Sequence, residues 1–157
     1  MKLALAQPST ESDFERYYDL RYRVLRAPWG EPRGSERIDG DDAGYHLMAL
    51  DTAWEPATVA GVGCLIFTAP GEARIRSMAV DPNYQGRGVG RFVMRGLEDE
   101  AALLGITTIT LQARENALEF YLHLGYQNLG KSFIMFGSIQ HYLMTKPINT
   151  KRLHANT

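Results

Sequence analysis

Three glycines at alternate positions, Gly86, Gly88 and Gly90, give this chain its clearest chemical signal. A strand-like apolar run over residues 75–80 precedes them, and a helical pattern over residues 91–104 follows them. A glycine-rich turn between a strand and a helix exposes backbone N–H groups at the positive end of the helix dipole. Because glycine has no Cβ, an anionic ligand can approach that backbone closely. The spacing therefore predicts a turn that binds phosphate or pyrophosphate.

Three kinds of phosphate-binding turn could carry these glycines. A Walker loop needs a lysine and then Ser or Thr after its last glycine, but Arg91 and Phe92 follow Gly90. A dinucleotide fingerprint needs its third glycine one position later and an acid about 20 residues further on. Residues 106–110 contain no acid. The third kind is the pyrophosphate loop of an acyl-CoA enzyme, and the alternative to all three is a plain glycine turn that binds no ligand.

A family resemblance supports the acyl-CoA interpretation. Residues 75–91, Ile-Arg-Ser-Met-Ala-Val-Asp-Pro-Asn-Tyr-Gln-Gly-Arg-Gly-Val-Gly-Arg, resemble the central motif of the GNAT superfamily of acetyl-CoA-dependent N-acetyltransferases. Residues 116–126, Asn-Ala-Leu-Glu-Phe-Tyr-Leu-His-Leu-Gly-Tyr, are similar to the later Asn, Phe-Tyr and Gly-Phe/Tyr motif of that family. The two segments also follow each other in the order usual for the family.

The resemblance implies an α+β fold, with a central mixed, mostly antiparallel sheet and helices on both faces. In this family the strand before the glycine turn splays away from the strand after the next helix, and the pantetheine arm of acetyl-CoA lies in the gap. Such an opening needs a local break in strand pairing, usually a bulge. The residues implied to bind acetyl-CoA are Met78, Ala79, Val80, Gln85, Gly86, Arg87, Gly88, Val89, Gly90, Arg91 and Asn116.

Acetyl transfer to an amine needs a neutral amine, a polarised thioester carbonyl and a proton donor for the leaving thiolate. By resemblance, Tyr121 is the proton donor, and the backbone N–H of Ala79 or Val80 polarises the carbonyl. Taken alone, Tyr121 lies at helical spacing among leucines, which favours a role in core packing. Direct transfer requires no Cys or Ser nucleophile.

The base that takes the proton of the amine is less clear. Some family members carry a glutamate on the strand before the glycine turn, where this chain has Arg74. Glu72, His46, His141 or a chain of waters could serve instead. We predict His141, because its late strand reaches the active-site region in this fold and because imidazole titrates near neutral pH. The alternative interpretation is that His141 is an ordinary polar residue on a strand, with no catalytic role.

Five residues are candidates for contact with the acceptor amine. Arg74 and Arg76 alternate to the same face of their strand, where they could bind an anionic part of the acceptor or form a solvated, ion-paired face. Tyr22, Arg26 and Trp29 lie where the acceptor loop of the family is found. A core role for Tyr22 and a lid role for Trp29 fit the pattern equally well.

The hydrophobic pattern predicts the elements that must position these residues. Ser9 or Thr10 can cap the first helix, Asn116 can cap the third, and Leu104 falls on the apolar face of the second. Residues 28–42 are rich in Pro and Gly and form an irregular loop or a second helix. Strands are predicted over residues 3–7, 45–51, 58–68, 72–80, 106–111, 126–130 and 139–145, and helices up to residue 25, over 91–104 and after Asn116.

Composition limits the possible functions. The 157 residues suit a single domain, predicted over residues 1–148, with a flexible tail over 149–157. Lys and Arg number 17 and Asp and Glu 18, which gives no case for a nucleic-acid or membrane surface. Cys64 is the only cysteine, so no intramolecular disulfide can form, as expected for a protein of the reducing cytoplasm. No apolar run approaches the length of a membrane span, and no metal site is predicted.

These observations predict an N-acetyltransferase that moves an acetyl group from acetyl-CoA to a primary amine of a small molecule or peptide. The rival prediction is a CoA-binding module with a regulatory or interaction role and little catalysis. A third possibility, nucleic-acid binding through the arginine-rich first helix, is disfavoured by the charge balance. The expected partners are acetyl-CoA and an amine, and the chain is expected to be a monomer or a homodimer.

Overall fold

The computed structural model of the chain describes residues 1–150. Three α-helices are present there, α1 (Glu11–Leu25), α2 (Val89–Leu103) and α3 (Leu118–His123). Short 3-10 turns precede or follow them. The seven strands are β1 (Leu3–Ala6), β2 (Tyr45–Asp51), β3 (Thr58–Ala69), β4 (Glu72–Val80), β5 (Thr108–Arg114), β6 (Gln127–Met135) and β7 (Ile139–Pro147).

The strands form one sheet in the order β1-β2-β3-β4-β5-β7-β6. Only β4 and β5 pair in parallel, and every other neighbouring pair is antiparallel. Tyr17 and Leu20 of α1 pack on one face of the sheet against Val62. Val93 and Leu97 of α2 pack on the other face. The predicted mixed, mostly antiparallel sheet with helices on both faces is confirmed.

The first helix begins at the predicted cap. Thr10 accepts a hydrogen bond from the Asp13 N–H at 3.0 Å, and the Asp13 carboxylate accepts one from the Thr10 N–H at 3.2 Å. This capping box satisfies N–H groups that the helix itself cannot pair. The helix ends at Leu25, so its C-terminal end lies beside the 3-10 turn Ala27–Trp29.

The second helix starts two residues earlier than predicted, because Gly88 in the left-handed region (φ +82°) already serves as its N-cap. Val93, Leu97 and Ala101 are buried as the apolar pattern indicates. Leu104 was predicted on this face but is 53% exposed, since the helix ends at Leu103 and helical spacing no longer sets the direction of the next side chain.

The late strands differ from their predicted bounds. The prediction over 106–111 was early, because Ile106 still bonds to Ala101 at the end of α2, and the strand runs from Thr108 to Arg114. β6 continues to Met135 rather than stopping at Gly130, since two register shifts let it keep pairing with β7. β6 is largely exposed, so it lacks the apolar alternation by which a strand is recognised.

The structure corrects the predicted cap of α3 and decides between the two alternatives for residues 28–42. Asn116 does not cap α3: it lies inside the 3-10 turn Glu115–Ala117, and the N-cap residue Ala117 offers no side-chain bond. Residues 28–42 contain no α-helix, only parts of two 3-10 turns. Within residues 1–150, no helix is long and apolar enough to cross a membrane. From residue 151 onward, the predicted tail lies outside the described residues.

Candidate active site

A cavity of about 320 Å³ lies where β4 and β5 separate. The two strands pair in parallel from Glu72 and Thr108 to Ile75 and Leu111, and no pair follows. Beyond Ile75, β4 is paired only on its other edge, with β3. The separation predicted between these strands is therefore present, and the cavity occupies it.

A bulge in β4 accompanies the separation. Val62 pairs with Ala79 and Cys64 with Arg76, so two β4 residues, Ser77 and Met78, oppose the single residue between them on β3. Ser77 adopts a left-handed conformation with φ +56°, which is uncommon for a residue with a side chain. Such a bulge bends the strand. The expected bulge is therefore present between β3 and β4, just beyond the last pair of β4 with β5, at the rim of the cavity.

The glycine turn is anchored by buried polar contacts on its N-terminal side. The Asp81 carboxylate accepts a hydrogen bond from the Asn83 N–H at 2.9 Å and caps the 3-10 turn Pro82–Tyr84. The Tyr84 hydroxyl donates to Asp51 at 2.7 Å. Hydrogen bonds from the Lys2 N–H and from Tyr84 lower the pKa of Asp51 to about 2. The carboxylate therefore stays charged and holds the loop.

Beyond this anchor the backbone faces open space. Gly86 and Gly88 have φ of +72° and +82°, and a Cβ built on either meets no atom within 4 Å. Val89 is 1% exposed, so its side chain belongs to the core and only its main chain is accessible to a ligand. The exposed side chains of Gln85 and Arg91 flank the turn.

The third glycine has a different role. A Cβ at Gly90 would lie 3.1 Å from the Phe120 ring, so this glycine allows α2 to approach α3. Phe120 in turn packs edge to face with Tyr121, with ring centroids 4.9 Å apart. Arg87 is exposed, with its guanidinium 5.2 Å from the centre of the Tyr84 ring. The start of α2 therefore brings the glycine turn next to the helix that carries Tyr121.

Tyr121 lines the cavity and is 8% exposed. Its ring also packs edge to face on Tyr126, with centroids 5.9 Å apart. Burial raises the pKa of the Tyr121 phenol, and the nearby charge of Arg114 opposes this only in part. The phenol is therefore protonated at neutral pH, as a proton donor must be. Asn116, in the preceding 3-10 turn, is not among the residues that line the cavity, whereas its neighbour Ala117 is.

His141 lines the same cavity and is 4% exposed. Its ring stacks on Phe133 at 4.3 Å, and its Nδ1 lies 3.0 Å from the Ile139 carbonyl oxygen. A carbonyl can only accept, so Nδ1 carries the proton and Nε2 keeps its lone pair in the neutral ring. Burial lowers the pKa of His141; the Ile139 carbonyl opposes the shift and Arg114, its partner across β5 and β7, adds to it.

The other candidate bases lie elsewhere. His46 has both ring nitrogens engaged, with Nδ1 2.7 Å from the Tyr17 hydroxyl and Nε2 2.7 Å from the Asp41 carbonyl oxygen. Glu72 lies at the start of β4, opposite Thr108, where the two strands are still paired. Neither residue lines the cavity. Of the side chains considered as bases, His141 is the one in contact with it.

Four arginines line the cavity: Arg26, Arg74, Arg76 and Arg114. Sequence reasoning identified the first three and missed Arg114, because the predicted strand ended at Leu111. Had the strand been continued, its alternation would have placed Arg114 on the same face as Gln112, which also lines the cavity. Met78 completes the predicted residues found there.

Trp29 and Tyr22 differ in their relation to the cavity. Trp29 stacks on Phe136 of the turn between β6 and β7, and the Arg114 guanidinium lies 4.4 Å from the centre of its ring. It therefore packs beside the lining residues, partly exposed. Tyr22 donates its hydroxyl hydrogen to the Glu31 carbonyl oxygen at 3.1 Å and does not line the cavity. It supports the loop that follows α1.

One group of side chains has the residue types of a metal site. Ligand atoms of Asp41, His46 and Cys64 lie within 4.8 Å of one another. The Arg21 guanidinium lies among them, 2.8 Å from the Asp41 carboxylate and 3.6 Å from the Cys64 sulfur. Since a guanidinium already supplies the positive charge there, we interpret the group as a buried hydrogen-bond network.

Comparison with known proteins relates the whole arrangement to one family. The family model described as Acetyltransferase (GNAT) family matches residues 14–126. N-alpha-acetyltransferase RimI of Mycobacterium tuberculosis strain H37Rv is 38% identical over 124 residues, which are 77% of each protein. The uncharacterized N-acetyltransferase YitI of Bacillus subtilis strain 168 is 25% identical over 140 residues, 88% of this chain and 94% of YitI.

Solved structures share the fold. An aminoglycoside 6'-N-acetyltransferase complexed with coenzyme A superposes with a TM-score of 0.77 and 18% identity, over 95% of this chain and 98% of that one. At this identity the likeness concerns the fold alone.

Proposed function

The chain belongs to the GNAT acetyltransferase family, and from this premise we propose that it transfers an acetyl group from acetyl-CoA to a primary amine of a small molecule or peptide. Transfer is direct, within a ternary complex. The observation that carries the proposal is the cavity between the separated ends of β4 and β5, which Tyr121 and His141 both line.

The residues present fit acetyl-CoA. The first N–H groups of α2 have no partner within the helix, and Gly86 and Gly88 leave the space before them open. The β4 edge from Met78 to Val80 is not paired with β5 and is available to amide groups of a pantetheine arm. When bound, acetyl-CoA supplies the activated acyl group as a thioester. The residues proposed to hold it are Met78, Ala79, Val80, the backbone from Gln85 to Arg91, the side chains of Arg87 and Arg91, and Asn116.

The protein's own groups handle the protons. Tyr121, kept protonated by its burial, donates to the leaving sulfur. Nε2 of the neutral His141 accepts the proton of the amine, directly or through a water. A backbone N–H of Ala79 or Val80 polarises the carbonyl. These roles place the acid on α3 and the base on β7.

Four expectations accompany the proposal and stay predictions. The chain is a single domain over residues 1–148, it works in the cytoplasm as a monomer or homodimer, and it does not bind nucleic acid. Its alternative function is that of a CoA-binding module with little catalysis, which Arg74 in the position of a family carboxylate leaves open.

Binding of acetyl-CoA tests the glycine turn. Ligand at about 100 times Kd should stabilise the fold by roughly 2.7 kcal/mol and raise the melting temperature. Gly88→Val should abolish that increase, because the new side chain points into the open space before α2. Gly105→Val is the matched control: Gly105 has φ +78° and equally open surroundings, but it follows the other end of the same helix. A folded Gly88→Val protein with wild-type affinity would refute the assignment of the turn.

Catalysis is tested by release of CoA thiol from acetyl-CoA in the presence of a panel of amines. Amine-dependent release, with the acetylated amine detected by mass spectrometry, is the expected result. Tight binding of acetyl-CoA without release for any amine in the panel would favour the binding module instead.

A further inference from the structure

The cavity has an uncompensated positive charge. Arg26, Arg74, Arg76 and Arg114 line it, and no aspartate or glutamate of the described chain is among the lining residues. A buried or half-buried arginine normally has a carboxylate partner, because removing its charge from water is costly. Four arginines around one cavity therefore need a structural or a functional explanation.

Arg74 and Arg76, on β4, have no carboxylate partner among the described residues. The Nε of Arg74 is buried and has no hydrogen-bond partner. Both side chains project from the α1 face of β4, because Ala73 and Ile75 between and beside them belong to the core on the other face.

Arg26 and Arg114 are held in place without being neutralised. Both donate to the Leu25 carbonyl oxygen at the end of α1, at 3.0 and 3.1 Å, and Arg26 also donates to the Ser35 carbonyl oxygen. These acceptors orient the guanidinium groups but carry no net charge.

The directions of the pKa shifts of Arg26 and Arg114 also indicate that these two charges are not neutralised. Burial, Arg21 and Arg76 lower the pKa of Arg26, while two carboxylates outside the cavity lining, Glu31 and Glu36, oppose this more weakly. Burial and Arg26 lower the pKa of Arg114. At Arg26, the repulsion by neighbouring arginines is therefore stronger than the attraction of the nearest acids.

Acetyl-CoA does not account for this charge. Its phosphates belong at the glycine turn, and the pantetheine arm that would enter the gap is uncharged. The developing negative charge on the carbonyl oxygen needs one or two donors rather than four guanidinium groups from β4, from β5 and from the end of α1. The remaining occupant of the cavity is the acceptor.

We propose that the acceptor is a small amine that itself carries an anionic group, a carboxylate or a phosphonate, as an amino acid does. Arginine binds both groups through paired, charge-assisted hydrogen bonds. This inference rests on the proposed function and names its substrate class. A cavity of about 320 Å³ lies at the small end of ligand sites, which fits an acceptor of amino-acid size.

The same arginines would assist the chemistry. Positive charge near an amine disfavours its ammonium form and lowers its pKa. A larger fraction of the bound amine is then neutral and able to attack. This effect offsets the lack of a carboxylate base at position 74, and it disfavours polycationic acceptors.

Matched acceptor pairs test the proposal. Acetylation of L-glutamate is compared with that of L-glutaminamide, in which both carboxylates are amides, and acetylation of aminomethylphosphonate with that of methylamine; putrescine represents cationic amines. In each pair we expect the anionic member to have the higher kcat/KM, and the two pairs separate carboxylate from phosphonate recognition. Preference for the neutral members, for putrescine or for an uncharged peptide N-terminus would overturn the proposal.

Variants locate the effect. Arg76→Gln should lower kcat/KM for the anionic acceptors by about 10- to 100-fold through KM, lower it much less for L-glutaminamide and methylamine, and keep the affinity for acetyl-CoA. Arg76→Lys keeps the charge and should recover part of the loss, and Arg74→Gln is the second variant. Arg16→Gln removes the same charge near the other end of α1, outside the cavity, and should change nothing. Equal losses for anionic and neutral acceptors would contradict the inference.

A binding measurement distinguishes a failure of this inference from a failure of the proposed function. If no amine is acetylated, the proposed function fails, and the acceptors are then tested as ligands of the CoA complex by calorimetry. Binding of anionic amines that Arg76→Gln weakens would uphold the anion site, and the absence of such binding would refute it.

Discussion

Arg21 and the four cavity arginines show two ways in which this protein surrounds a guanidinium, one fully buried and the others half-buried at the cavity wall. Arg21 is fully buried, and the protein supplies its partners: the Asp41 carboxylate at 2.8 Å, the Glu36 carbonyl oxygen at 3.0 Å and the Tyr17 hydroxyl at 2.9 Å. The cavity arginines have no carboxylate partner among the described residues: Arg26 and Arg114 donate to carbonyl oxygens and lie over the Phe136 and Trp29 rings, and Arg74 leaves a buried Nε unpaired.

The difference lies in charge rather than in hydrogen-bond count. Arg21 and Arg74 each leave a buried Nε without a partner. Only Arg21 has a carboxylate against it and tyrosine rings on its face, with the Tyr18 ring centre 4.9 Å from its guanidinium carbon. A cation that the protein neutralises holds the fold together, since it connects α1 to the loop that ends at β2. A cation left without a counter-charge beside a cavity is available to a ligand.

The largest effect that we expect from this contrast is a loss of stability when the Arg21 network is broken. Asp41→Ala should lower the free energy of unfolding by about 3–5 kcal/mol, because it leaves Arg21 buried and unpaired. Asp42→Ala is the control, since Asp42 is adjacent and exposed, and it should change stability by less than about 0.5 kcal/mol. Urea denaturation measures both. Equal stability of the two variants would show that the pair does not hold the fold.

Within the cavity the expected losses are of activity rather than stability. Tyr121→Phe should lower turnover by about 10- to 1000-fold, since the proton donor is removed, with the melting temperature and the affinity for acetyl-CoA kept. Tyr126→Phe is the matched control: that ring packs on Tyr121, but its hydroxyl donates to Glu98 at 2.9 Å, away from the cavity. Tyr126→Phe should lower the free energy of unfolding and leave turnover unchanged. If Tyr121→Phe behaved like the control, Tyr121 would be a core residue.

The smallest predicted effect concerns His141. As the base it must be neutral, so turnover at saturating acetyl-CoA should rise with pH through its pKa, which burial moves below the ordinary value of 6.5. The rising limb should therefore lie on the acid side of the usual imidazole range. His141→Gln should remove that limb and lower turnover by about 10-fold, while the exposed His123→Gln should retain it. An unchanged limb in His141→Gln would exclude this histidine.

The contrast between paired and unpaired arginines could not be obtained from the sequence. Arg21, Arg26, Arg74 and Arg76 have the same side chain, and spacing alone does not say which of them meets a carboxylate. The partner of Arg21 lies 20 positions away in an irregular loop, where no periodic pattern predicts its position. The sequence did indicate that Arg74 and Arg76 share a face, because strand alternation is local.

The errors in the predicted helices and strands have the same cause: features set by neighbouring residues were predicted correctly, and features set by distant residues were not. The Thr10 cap, the start of β4 and the glycine turn before α2 depend on neighbouring residues, and the sequence predicted them. The length of β6 depends on pairing with β7, and a mostly exposed strand carries no apolar alternation that marks its end. The shortened prediction for β5 also hid Arg114, a residue that now bears on the substrate class.

The sequence by itself determined the glycine turn between β4 and α2 and the resemblance to the family, because both rest on residue types at short, fixed spacings; that resemblance made Tyr121 the candidate acid. Only the tertiary structure decided that His141 rather than His46 or Glu72 meets the cavity, and that four arginines from three elements surround it without an acid among the lining residues. The reason is physical: burial, charge pairing and pKa depend on atoms brought together from distant parts of the chain, and those distances exist only after the sheet has formed and β4 and β5 have separated.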